Sequence, residues 1–336
     1  MNKAEKIAAF NSNAPSDNSE NIFGLPFSVH DAKIVIIPVP WEVTVSYKTG
    51  TANAPQAVLD ASFQVDLFDP YVKDAWQIGL AMEAITNELK VKNEELRIEV
   101  EKNKSNFIRN EVNKGGNELN IWLKEKSLNY LNKGKLVATL GGDHSTPLGL
   151  IQALAKKHSA FGMLQIDAHF DLRKAYEGYE FSHASIMYNA LKLPQISKLV
   201  SVGIRDYCEE EVEFIEQNSE SVIPFYWHEI QKQKFNGKNW ASICAEIIEQ
   251  LPENVYISFD IDGLDPKLCP NTGTPVPGGL EFDETLFLIH QLVESGRKII
   301  GFDLSEVGNS KWDSNVGARL LYRVCNLMAK SNIIGD

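Results

Sequence analysis

Apolar residues come in short, nearly unbroken runs along this chain. "AKIVIIPV" from Ala32, "KLVATL" from Lys135, "GMLQI" from Gly162, "KLVSVGI" from Lys198, "NVYISFDI" from Asn254 and "KIIGFDL" from Lys298 are strand-length and rich in β-branched residues. Runs of this kind suit strands covered on both faces. Helix-length segments such as "TPLGLIQALAKKH" and "NWASICAEIIEQL" lie between them. The rhythm predicts a single three-layer α/β/α domain with a mostly parallel central sheet, occupying residues 25–336.

Two stretches depart from the rhythm. Residues 1–24 are polar, rich in Asn and Ser, and read as a loosely held N-terminal arm. Residues 83–132 are dense in Lys, Glu and Asn. There Leu89, Leu96 and Val100 form one helical stripe and Leu119, Trp122 and Leu123 a second, with Gly115-Gly116 read as a break. A solvated helical pair packed on the sheet is expected, since no heptad persists.

Bulk properties narrow the functional classes. Of 336 residues 43% are hydrophobic and 23% charged, enough apolar material for a large core. The formal charge of −12 argues against a nucleic-acid partner and leaves room for a small cation. Cys208, Cys244, Cys269 and Cys325 show no metal or disulfide spacing and read as reduced thiols. No window reaches 18 uninterrupted apolar residues and the N-terminus lacks an apolar signal core, so a cytoplasmic protein without membrane association is expected.

Candidate chemistry gathers at the ends of three predicted strands, where open α/β sheets place their ligands. "ATLGGDHST" carries His144 just past a strand, with Gly141 and Gly142 allowing a sharp turn. "QIDAHFD" supplies Asp167, His169 and Asp171 at every second position, hence on one face of the strand's end. "SFDIDGLDP" supplies Asp260 and Asp262. Taken singly, each cluster could be a turn or a cap. Together, four carboxylates and two imidazoles need a cation. Their donor types suit manganese or a similar divalent ion, and their number suits two ions about 3.5–4 Å apart holding a hydroxide. A site loaded in that way carries a charge of about −1 and favours a cationic substrate.

"GGDHS", "DAHFD" and "SFDIDGLDP", in that order, resemble the metal-binding signatures of the ureohydrolases, the arginase and agmatinase superfamily. The resemblance runs from "VPWEVTVSYKTGTANAPQAVLDAS" to "GFDLSEVGNS" and is weak between about 83 and 132. It implies two manganese ions per chain, one held by His144, Asp167, Asp171 and Asp260, the other by His169, Asp167, Asp260 and Asp262. It further implies that His183 in "FSHASIM" serves as proton shuttle and that Glu306 in "FDLSEVG" pairs with a guanidinium. "TGTPVPGGL" from Thr272 would border the site's mouth. A homo-oligomer, trimer or hexamer, is also implied.

The position in "VGIRDYCEE" where arginases carry an acid is Cys208, and "LRKAYEGYEFSHAS" has Arg173 and no Asn matching theirs. These differences disfavour arginine, while "SHAS" and "GTPVPGGL" resemble agmatinases, so the resemblance implies agmatinase activity, cleaving agmatine to putrescine and urea. The alternatives are guanidinobutyrate, guanidinopropionate, formiminoglutamate, guanidine or arginine as substrate, or a non-catalytic metal-binding relative. His30, His158, His228 and His290 lie in no ligand-spaced cluster and are expected to serve packing or the surface.

Overall fold

The computed structural model describes residues 1–16, 21–103 and 105–333. Parts of the N-terminal arm (17–20), of the charged segment (104) and of the C-terminus (334–336) lie outside the described residues.

Eight strands form one sheet: β1 (Ile34–Val39), β2 (Leu80–Met82), β3 (Leu136–Gly141), β4 (Phe161–Ile166), β5 (Ile196–Ile204), β6 (Val222–Tyr226), β7 (Asn254–Asp260) and β8 (Lys298–Ser305). Their order is β2-β1-β3-β8-β7-β4-β5-β6, and every neighbouring pair is parallel. The six predicted runs are β1, β3, β4, β5, β7 and β8. The sequence reading missed β2 and β6, the two edges. β2 is only three residues long, and β6 carries Pro224, which cannot donate to a ladder and is tolerated at an edge.

Successive residues of β1 feed opposite cores. Ile34 and Ile36 of β1 join one cluster with the helices Ala54–Ser62, Trp240–Glu249, Phe282–Glu294 and Lys311–Ile333. Val35, Ile37 and Val39 join the other, with Asn106–Leu131 and Leu148–Lys157. This two-sided burial is what the unbroken apolar runs required.

The charged segment forms the helices Asn87–Lys102 and Asn106–Leu131. Leu89, Val100, Leu119 and Leu123 are buried in the second core, with Leu96 and Trp122 against it. Gly115 and Gly116 do not break the helix, contrary to the expectation. A Cβ on Gly115 would meet Leu96 Cδ1 at 2.7 Å and one on Gly116 would meet Phe181 Cβ at 2.9 Å, so these glycines permit close packing. In the N-terminal stretch, the helix Lys3–Ala9 is tied down by Lys3 Nζ donating to Ile78 O, and the Phe10 ring lies 5.0 Å from that of Trp76.

Among the described residues no helix is long and apolar enough to cross a membrane.

Candidate active site

The four central strands β3, β8, β7 and β4 are adjacent, and each delivers functional side chains from its C-terminal end. β3 leads to His144, β4 to Asp167, His169 and Asp171, β7 to Asp260 and Asp262, and β8 to Glu306. Parallel strands point all their C-termini the same way, so residues far apart in sequence meet at one edge.

The D-x-H-x-D segment is not a strand continuation. β4 stops at Ile166, and Asp171 adopts φ +55°, a left-handed conformation costly for a non-glycine residue. Its carbonyl accepts from Met187 N at 3.1 Å and Tyr188 N at 3.3 Å, which holds the bend. A tightly tethered loop, rather than the strand pleat, brings these ligands together. Glu306 is likewise left-handed at φ +61°, fixed by its N–H donating to Gly142 O at 2.8 Å and its carbonyl accepting from Thr272 Oγ1 at 2.8 Å. Such strain persists where surrounding bonds over-determine the backbone, and it is common at functional sites. Gly142 itself needs no positive φ. A Cβ there would sit 1.8 Å from Trp41 O, so it is the close approach of the 41–42 backbone that demands glycine.

His144 and His169 each point Nδ1 at carboxylates. His144 Nδ1 lies 2.9 Å from Asp171 Oδ2, 3.1 Å from Asp167 Oδ2 and 3.3 Å from Asp260 Oδ2. His169 Nδ1 lies 3.1 Å from Asp262 Oδ2 and 3.6 Å from Asp167 Oδ1. Two groups able to hold a metal result, His144 with Asp167 and Asp171, and Asp167 with His169 and Asp262. Asp167 belongs to both.

The tautomer of His144 follows from its far side. Ser258 Oγ donates its one proton to Asp303 Oδ1 at 2.9 Å, so at 2.9 Å from His144 Nε2 it must accept. Neutral His144 therefore carries a lone pair on Nδ1, and that buried atom has no hydrogen-bond partner. A lone pair aimed into three carboxylates fits a bound cation.

Electrostatics agree with that fit. Burial opposes charging His144, but Asp167, Asp171 and Asp260 raise its pKa well above the ordinary value. His169 is raised likewise against burial, by Asp262 and Asp167. Burial pushes Asp171 up to about 7, helped by Asp167, and Asp260 rises strongly through burial and the charges of Asp262 and Asp167. Asp167 is the exception: despite burial, its contacts to both imidazoles hold it below the usual carboxylate range.

These groups open into a cavity of about 300 Å³, whose walls include His144, His169, Asp171, His183, Asp260 and Glu306. All eight residues singled out in the sequence fall within this one region. Glu306 Oε1 accepts the His144 N–H at 3.0 Å, while its Oε2 is buried without a partner. Burial and the Asp143 charge raise the Glu306 pKa well above normal. His183 is half-buried, its Nε2 3.4 Å from Ser46 Oγ. Burial, with the charges of His169 and His144, lowers its pKa to about 4.

Toward the mouth lie Ser46, Tyr47, Arg173, Tyr176, Asp206, Tyr207, Thr274, Pro275 and Val276. The "TGTPVPGGL" loop thus borders the cavity, whereas Cys208 does not line it. Sequence reasoning missed several supports. Arg205 donates to the carbonyls of Gly203, Asp262, Leu264 and Val276, locking the Asp262 turn to that loop. Glu211 takes the N–H groups of Leu172 and Cys208, both at 3.1 Å, tying the D-x-H-x-D loop to the helix Glu209–Gln217. Ser258 carried a signal, lying two residues before Asp260 on the same strand face. Asp206, two residues past the end of β5, and Arg205 before it had none beyond position.

The parallel α/β sheet carries at its C-terminal edge a carboxylate–imidazole cluster able to hold metal ions. The sequence model of the family described as "Arginase family" matches residues 32–328, and the chain belongs to that family. It is an enzyme of the ureohydrolase class. It is 29% identical over 283 residues to the N(1)-aminopropylagmatine ureohydrolase of Synechocystis sp., covering 83% of each chain. It is 27% identical to the agmatinase of Pyrococcus horikoshii, over 90% of this chain and 94% of that one. Its fold matches the crystal structure of agmatine ureohydrolase of Thermoplasma volcanium with a TM-score of 0.73 at 23% identity, covering 99% of this chain and 100% of that one.

Proposed function

We propose that the protein is a binuclear manganese amidinohydrolase that cleaves agmatine, or agmatine extended at its amine end, into urea and the free amine. The observation that carries this reading is Glu306: a buried carboxylate with one oxygen unpartnered, facing the cavity shared with the ligand cluster. A planar guanidinium supplies the charge and N–H groups that such a carboxylate lacks.

His144, Asp167, Asp171 and Asp260 would hold one ion and His169, Asp167, Asp260 and Asp262 the second. Oxygen-rich donors with imidazole suit manganese. When bound, the ions would make water nucleophilic at neutral pH. The remaining work falls to the chain itself. Glu306 orients the guanidinium so that its central carbon faces the ligand cluster, which lowers the entropic barrier to attack. A guanidinium carbon is a poor electrophile, and its C–N bond breaks only if the leaving nitrogen gains a proton. His183, neutral at pH 7 because of its lowered pKa, accepts a proton from the attacking water and delivers it to the departing amine.

Support for an amine tail comes from the cavity wall, where Asp206 and the rings of Tyr47 and Tyr207 suit a cation, and from the named substrates of the relatives above. Arg173, its guanidinium 5.2 Å from the Tyr176 ring centre, favours a second reading, a guanidino compound ending in a carboxylate. A panel of agmatine, N(1)-aminopropylagmatine, guanidinobutyrate, guanidinopropionate and arginine, assayed for urea with manganese-loaded protein, separates the two. Preference for an amine-tailed substrate is expected. Preference for a carboxylate-tailed one would transfer the assignment to the second reading, and no urea from any would end both.

A further inference from the structure

The helix Asn87–Lys102 belongs to the charged segment for which the sequence suggested no role. Asn93 and Arg97, four residues apart, lie on one face of it, and both reach the same loop. Asn93 is buried, and its Oδ1 accepts the Glu42 N–H at 2.7 Å. Arg97 Nη1 donates to Val45 O at 3.0 Å and to Val43 O at 3.3 Å. Val43 and Val45 are themselves buried, in a segment that is neither helix nor strand, so their carbonyls have no ladder to satisfy them. On the loop's far side, the Glu42 carboxylate accepts from Gly50 N, Thr51 Oγ1 and Ala52 N at 2.6, 3.1 and 3.0 Å.

The segment so pinned is the one that holds His183. Thr44 Oγ1 accepts the His183 N–H at 3.3 Å and donates to Asp143 Oδ2 at 3.3 Å. Ser46 Oγ stands 3.4 Å from His183 Nε2 and, like His183, lines the cavity. Thr44 and Ser46 thus flank Val45, whose carbonyl Arg97 grips.

We propose that Arg97, assisted by Asn93, is a positioning residue for His183, acting through the backbone of residues 42–46. A guanidinium is suited to this because the two N–H groups of Nη1 are held in one rigid plane and can each serve one of the two carbonyls. A 1 Å displacement of a proton-transfer group is expensive in rate. The inference rests on His183 carrying the proton.

The experiment compares R97M, R97K, H183A and the double variant R97M/H183A as manganese-loaded full chains, with agmatine as substrate. R97M should lower kcat by about tenfold to a hundredfold, with KM moving less than about threefold and bound manganese unchanged. R97K should recover part of the loss. In the H183A background R97M should cost nothing more, because its effect runs through the missing imidazole. An equal further loss in that background, or a wild-type kcat for R97M while H183A is impaired, would overturn the clamp and leave His183 standing. A wild-type rate for H183A would instead remove the reading of His183, and the proposal with it. Hydrogen–deuterium exchange supplies a measure that needs no substrate: R97M should raise exchange in 43–46 and in 182–184 together. Protection at 182–184 equal to wild type would overturn the proposal. If R97M does not fold, N93A and R97K are read on the same two measures.

Discussion

Replacing Glu306 by glutamine changes the charge of one side chain and almost nothing of its shape. Oε1 still accepts the His144 N–H, and the left-handed backbone at 306 keeps its bonds to Gly142 and Thr272. Folding stability should hold or rise, since a buried carboxylate crowded by Asp143 and Asp262 is lost. Catalysis should not survive so well. The unpartnered Oε2 becomes an amide that at best accepts one neutral hydrogen bond and at worst presents N–H groups to the N–H groups of a guanidinium. Breaking one side of a buried, hydrogen-bonded charge pair costs about 2–5 kcal/mol. Taking about 3 kcal/mol, at 1.4 kcal/mol per decade, kcat/KM for agmatine should fall by about a hundredfold. Urea release at limiting substrate, with thermal unfolding measured on the same preparation, is the assay. An E306Q enzyme within about fivefold of wild type in kcat/KM would refute the pairing of Glu306 with the guanidinium.

Three further outcomes are expected. Asp167→Ala should release both ions rather than one, because Asp167 belongs to both ligand groups; metal analysis showing one ion fully retained would contradict a shared ligand. In the metal-free protein His144 and His169 have raised pKa values and Asp171 sits at about 7, so the site holds protons near neutrality that a metal must expel. Manganese affinity should therefore rise with pH and fall as the medium is acidified, and calorimetry at pH 7 in buffers of different ionisation enthalpy should show net proton release; buffer-independent heats would count against it. Gly142→Ala should destabilise the fold by about 3 kcal/mol or more, since its methyl group meets the fixed Trp41 carbonyl; a denaturation midpoint equal to that of wild type would show that the 41–42 turn can yield.

The chain's own order of residues determined much of this. Unbroken apolar runs fixed six of the eight strands and the parallel, doubly covered sheet, because burial on both faces leaves no polar alternation to hide it. The edges escaped notice because β2 is three residues long and β6 contains proline, so neither has the length or composition that burial imposes. The candidate ligand residues stood out because carboxylates and imidazoles gathered directly after apolar strands are costly without a cation. How they meet was decided only in three dimensions. The pleat suggested a shared strand face for Asp167, His169 and Asp171, but a loop strained at Asp171 brings them together.

The same holds for the glycines, whose reason lies in distant neighbours: Gly142 in the Trp41 carbonyl, Gly115 and Gly116 in Leu96 and Phe181. No local pattern reports a close approach between segments that lie from 19 to 101 residues apart, as 115 − 96 and 142 − 41. Nor does it report that Arg97, 86 residues before His183 in a stretch of ordinary surface composition, donates through Nη1 to two carbonyls of the loop beside that imidazole. Hydrophobic periodicity is written locally because each element must bury its own face. Positioning of a site is not, because it depends on which elements the packing makes neighbours.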